Sequence, residues 1–229
     1  MRRPRIRLVV RITSNRPDAE NSLFAFFARA LARLGARVER SQTENLVRKI
    51  GVRGHVATPL PPFDAPPPLP HVLVQVEGLP NLVHEVGHLL LRGVLDDDHG
   101  IDYQAIPFDL DHPDGRAVLW EEMACCALSC GYPAAIEGAA GWAAVDAWFR
   151  EQVEIQPVFY GFDGRPDAFW TRVEAAYAED DAICEATVAT AYVRTEGLLR
   201  WAGAPPGVAA PGERLSFGTL LRRARHPMT

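Results

Sequence analysis

The sequence predicts an α+β fold, a small N-terminal sheet followed by a run of helices. Three observations predict it. Apolar, largely β-branched residues alternate with polar ones near the start and again just before residue 78. From there onward apolar residues recur mainly at helical spacing, and no segment repeats another. A chain of 229 residues fits one domain, 1–229. Within it we expect an N-terminal α/β part (1–77), a pair of helices carrying the chemistry (78–130) and a helical C-terminal part (131–229).

Residues 6–13 mix β-branched side chains with arginines, as in a strand with one wet face. Over 19–34 the period lengthens: Leu23, Phe26, Phe27, Ala30, Leu31 and Leu34 form one stripe, and Gly35 is suited to end the helix. A second short strand is expected over 36–40. Prolines crowd 59–70, which reads as a stiff extended connector. Residues 71–77 alternate like a strand, and Gly78-Leu79-Pro80 turns the chain into a helix. If that strand lies at a sheet edge, it can hold an extended peptide by main-chain hydrogen bonds; in the centre it cannot.

Asp96-Asp97-Asp98-His99-Gly100 closes the helix, and a polar loop runs to about residue 115. The next helix is expected over 116–130, broken by Gly131-Tyr132-Pro133. Another follows over 134–153, with Trp142, Val145 and Trp148 on one side. A loop at 160–166 leads to helices over 167–178 and 182–201, and a short one over 217–225.

Hydrophobic residues at 48% and charged residues at 23% describe an ordinary soluble globule. The net charge of −5 provides no basic field for nucleic acid, so none is expected as a partner. Lys49 is the only lysine, which with the many alanines and arginines reads as the codon bias of a GC-rich genome. No apolar run is long enough to span a bilayer, so no membrane partner is expected. The basic start is followed only by Leu8-Val9-Val10 before Arg11, too short for a signal peptide. Four cysteines (Cys125, Cys126, Cys130, Cys184) in a chain without an export signal suggest reduced thiols in a cytoplasm.

The chemistry concentrates in Asn81-Leu82-Val83-His84-Glu85-Val86-Gly87-His88-Leu89-Leu90. On a helix His84 and His88 lie one turn apart on one face, close enough to share a metal ion. Glu85 stands beside them as a base for a water on that metal, the H-E-x-x-H arrangement of zinc peptidases. The bland alternative is two core histidines flanking a surface glutamate. A catalytic zinc needs a third protein donor. Leu91 and Val94 occupy the positions where metzincins carry glycine and histidine, which excludes that class. The gluzincin solution is a glutamate from a later helix, and Leu119-Trp120-Glu121-Glu122-Met123-Ala124-Cys125 offers two. Glu121 borders the apolar face of its helix and is the expected metal ligand; Glu122 points further out and is the alternative.

His84-Glu85-Val86-Gly87-His88 followed by Glu121-x-x-Ala124 resembles the ImmA/IrrE-type metallopeptidases and other small gluzincins. The resemblance covers about 72–128. It implies a zincin-like helical core, a cytoplasmic zinc enzyme and a specific protein or peptide as substrate. Cys125 stands where that pattern commonly has Asn or Asp, a residue that orients a ligand. Tyr103, His112, Tyr132, Tyr160, Tyr192 and Arg194 all qualify as donors to a developing oxyanion, and the sequence does not choose among them. Those two points keep open a zinc-bearing sensor or regulatory binding protein without turnover; a hydrolase of small amides is a third expectation, favoured if the 96–115 insertion blocks the site. Two imidazoles and a carboxylate suit Zn²⁺, although iron, manganese or cobalt fit the same donors. Asp96 to Asp98 and His99 read as a solvated helix end, and the cysteines, lacking a C-x-x-C pair, as core residues.

Overall fold

A computed structural model describes residues 17–40, 46–49, 72–91, 108–137, 141–154, 156–211 and 213–225. In chain order these form α1 (Pro17–Arg33), β1 (Arg37–Arg40), β2 (Leu46–Lys49), β3 (Val72–Val76), α2 (Leu79–Leu91), α3 (Pro113–Glu137) and α4 (Trp142–Glu154). The single turn α5 (Gln156–Phe159), the long α6 (Pro166–Trp201), the single turn α7 (Pro206–Ala209) and α8 (Phe217–Arg225) complete the order. The architecture is α+β and mostly helical. The strand expected at 6–13, the proline-rich connector, Asp96 to Asp98, His99 and Tyr103 lie outside the described residues.

The described strands make one sheet, ordered β1-β3-β2. β3 runs parallel to β1, with Arg37 opposite Leu73, and antiparallel to β2, with Leu46 opposite Gln75. The strand before the motif helix is therefore central. Both of its edges are taken, so it offers no main-chain groups to an extended peptide. Leu73, Val74 and Val76 are all buried, as a central strand covered on both faces requires.

α1 follows the expected stripe: Leu23, Phe27, Ala30, Leu31 and Leu34 are buried, while Phe26 is half-buried under the Arg29 guanidinium. Gly35 ends it with φ of 91°, a left-handed conformation that costs glycine little. The Ala36 N–H then reaches back to the Leu31 carbonyl at 3.0 Å. α2 begins with Pro80 in its first turn, where a missing N–H costs nothing. It packs against α1, β3, α3 and α6, and buries Leu79, Leu82, Val83, Val86, Gly87, Leu89 and Leu90.

Two expected boundaries are corrected. α3 does not break at Gly131-Tyr132-Pro133 but runs on to Glu137, and α4 starts only at Trp142. Gly131 is not a helix stop. A Cβ placed there would lie 2.0 Å from the Tyr192 hydroxyl, so the missing side chain lets α6 approach α3. The helices expected at 167–178 and 182–201 are joined as α6, bent at Asp180 (φ −114°, ψ 16°). β2, α5 and α7 had no counterpart in the sequence reading. The core gathers Phe27, Trp120, Tyr132, Phe149, Phe169, Tyr192 and Phe217, with Phe27 edge-on to Tyr132 at 5.3 Å. Among the described residues no helix is long and apolar enough to cross a membrane.

Candidate metal centre

α2 carries His84 and His88 on the side that meets α3, each side chain 14% exposed. Their rings lie edge to face with centroids 4.8 Å apart, and the two Nε2 atoms are 3.1 Å from each other. α3 brings Glu122 to the same point: Oε1 is 3.5 Å from His84 Nε2 and Oε2 is 3.2 Å from His88 Nε2. One donor atom from each of the three residues falls within 4.8 Å of the others.

The other ring nitrogen of each histidine meets an acceptor. His88 Nδ1–H donates to Glu121 Oε1 at 3.0 Å, and His84 Nδ1–H donates to Gln152 Oε1, from α4, at 2.6 Å. A neutral imidazole that gives its proton at Nδ1 has a lone pair at Nε2. With both imidazoles neutral, two lone pairs and a carboxylate converge on one small volume, a concentration of negative potential that a proton or a metal ion there relieves. Four-coordinate zinc at its usual bond lengths separates its donors by about 3.3–3.6 Å. The separations of 3.1, 3.2 and 3.5 Å come close to that edge length. Zinc fits the donor set.

The two glutamates exchange the places expected of them. The group that can hold a metal contains Glu122, while Glu121 sits behind His88. The reason lies in α3. Every residue from Met123 to Tyr132 is buried, so that stretch of the helix has no wet side and its apolar pattern gives no direction. The apolar-face argument for Glu121 needs such a direction, and α3 offers none. What decides is the crossing of α3 over α2, which aims Glu122 at Nε2 and Glu121 at Nδ1.

Glu85 is half-buried on α2 next to the histidines and makes no hydrogen bond or ion pair with another described residue. Cys125 lies one turn of α3 beyond Glu121 and Glu122, against Gly87. A Cβ on Gly87 would stand 2.8 Å from the Cys125 Sγ, so glycine at this position sets how closely α2 and α3 approach. Burial pushes the Cys125 thiol up to about 11, leaving it neutral at pH 7. For His88, burial works against the charged form, but Cys125 beside it and the hydrogen bonds to Glu121 and Glu122 outweigh burial and hold its pKa above the ordinary value, so a metal ion at Nε2 would displace a proton there.

The remaining candidates are engaged elsewhere. His112 is exposed beside Asp114 at the start of α3. The hydroxyls of Tyr132, Tyr160 and Tyr192 donate to the carbonyls of Ala209, Gly115 and Ala127, and the Arg194 guanidinium donates to the Leu90 carbonyl at the end of α2. All four cysteines are buried free thiols. Sequence reasoning missed Gln152 as a site residue altogether. No signal in the sequence marked it: Gln152 stands among Arg150, Glu151 and Glu154 at the end of α4, a run that reads as an ordinary polar surface. Comparison with family models, with curated proteins and with solved structures finds no match to this chain.

Proposed function

We propose that the chain is a zinc-dependent metallopeptidase, with His84, His88 and Glu122 as the metal ligands and Glu85 as the general base. The observation that carries this reading is the convergence of the two Nε2 atoms and the Glu122 carboxylate on one point. Zinc held by these residues would supply a Lewis acid, able to lower the pKa of a water and to polarise an amide carbonyl. Glu85 takes the proton from the attacking water and returns it to the departing amine. Its lack of another partner among the described residues leaves the carboxylate available for both transfers. Glu121 fixes the tautomer of His88, and its negative charge raises the basicity of that ligand. The substrate class is a peptide bond in a specific protein or peptide.

The engagement of Tyr132, Tyr160, Tyr192 and Arg194 in structural hydrogen bonds favours a second reading, a zinc-bearing binding protein without turnover. One experiment separates the two. The zinc-loaded protein and its Glu85→Gln variant are incubated with a peptide library, and products are read by mass spectrometry. New N-termini with the wild type alone support the peptidase. Stoichiometric zinc with no cut in either supports the binder, and wild-type protein that takes up no zinc removes both.

A further inference from the structure

α4 lies outside the motif and outside the helix of paired glutamates, yet it reaches the metal site through a single side chain. Gln152 Oε1 accepts the His84 Nδ1–H at 2.6 Å and a second bond from the Ser129 hydroxyl at 3.0 Å. Ser129 is fully buried on α3 and itself accepts the indole N–H of Trp148, one turn back along α4, at 3.2 Å. Indole nitrogen can only donate. Its bond therefore occupies the Ser129 oxygen as an acceptor and turns the hydroxyl proton outward, toward Gln152 Oε1 and the Cys126 carbonyl, both at 3.0 Å. One hydroxyl proton thus serves both the Cys126 carbonyl and the Gln152 oxygen, and it favours an acceptor, the amide oxygen, at Gln152. An amide oxygen held in that orientation accepts from His84 Nδ1. The amide nitrogen of Gln152 is buried and finds no partner among the described residues, so the side chain is held by its oxygen alone.

We propose that Gln152 is the positioning residue for His84: through Ser129 and Trp148 it fixes which ring nitrogen of His84 faces the metal. This rests on the reading of His84, His88 and Glu122 as a zinc site. The two histidines are then held unequally, His88 by a carboxylate and His84 by a neutral amide. With zinc, Glu85, Glu121 and Glu122 together the charges sum to −1, and a neutral acceptor behind His84 adds no further negative charge. Were the oxygen and nitrogen of Gln152 exchanged, His84 would carry its proton on Nε2 and could not bind metal.

The test is a zinc competition titration against a chromophoric chelator at neutral pH, on the full chain and two variants, with thermal unfolding of each metal-free protein. Gln152→Leu removes the acceptor, and its zinc Kd should rise about 10–100-fold, the usual cost of losing a partner behind a ligand histidine. Gln152→Glu restores an acceptor of the same reach, and its Kd should return to within a few-fold of wild type. Metal-free midpoints should stay together, because the effect acts on the ligand rather than on folding. A Gln152→Leu protein with wild-type affinity overturns the positioning role while leaving the zinc site intact. So does a Gln152→Glu protein that binds as weakly as the Leu variant. Wild-type protein that binds no zinc overturns the site reading, and this proposal with it.

Discussion

On the proposed reading, Glu85 and the two glutamates of α3 take three different tasks from one chemical group, separated only by where the helices aim them. Glu85→Gln keeps the shape and removes the base; hydrolysis should fall about 10²–10⁴-fold while zinc content stays at one per chain, measured by peptide turnover and by metal analysis. Glu122→Ala leaves two ligands, and Glu121→Ala leaves three with one histidine unsupported. The first should therefore abolish tight zinc binding, and the second should weaken it about 10–100-fold in the same competition titration. The opposite ranking would return the third ligand to Glu121. At Gly87 the physics is steric. Gly87→Ala sets a methyl 2.8 Å from the Cys125 Sγ, and overpacking of this kind costs about 1–3 kcal/mol. Combining it with Cys125→Gly should recover much of the loss in urea unfolding, because the two sites share one contact.

At the scale of elements, α3 carries the molecule. It crosses α2 to bring Glu121 and Glu122 to the site, and it packs along α6 through the gap left by Gly131. Gly131→Ala should destabilise the fold despite the better helix propensity of alanine, since the new methyl meets the Tyr192 ring and its hydroxyl. A second tie joins α3 to the bend of α6. Asp180 accepts from Arg116 Nε at 2.7 Å and from Trp120 Nε1 at 3.0 Å. The Trp120 N–H and the Arg116 guanidinium hold its carboxyl below the ordinary 3.8. A carboxylate whose folded value is lowered adds stability that is complete above its unfolded value and disappears as pH falls through the folded one. Asp180→Asn should accordingly be less stable than wild type at pH 7, and the gap between them should close below about pH 4 in denaturant titrations.

For the whole molecule, the site links four helices, since α2, α3 and α4 contribute groups directly and α6 backs α2 and α3. A ligand that binds only the folded chain stabilises it by mass action, about 2.7 kcal/mol at a hundredfold excess over Kd. For a chain of this length that corresponds to a melting midpoint about 5–10 °C higher with zinc than after chelation. The shift should vanish in Glu122→Ala.

The motif helix, the stripe of α1, its glycine stop and the extent of α8 were all legible in the sequence. Each depends on residues within a turn or two of one another, and periodicity reports such local relations well. The H-E-x-x-H spacing likewise determined that His84 and His88 share a face, because 3.6 residues per turn allows no other outcome once the helix forms. Relations between helices were not legible. Gly131-Tyr132-Pro133 resembles a stop until Tyr192 is seen against it, and β3 becomes central only when β1 and β2 pair on either side. The choice between Glu121 and Glu122 belongs to the same class: one helix step separates them, and only the crossing of α3 over α2 decides which oxygen meets Nε2. Gln152 lies 68 positions from His84. Sequence determined which groups the site has to work with, through local helical geometry; tertiary packing decided which atoms of them converge on one point, because that depends on how separate helices cross.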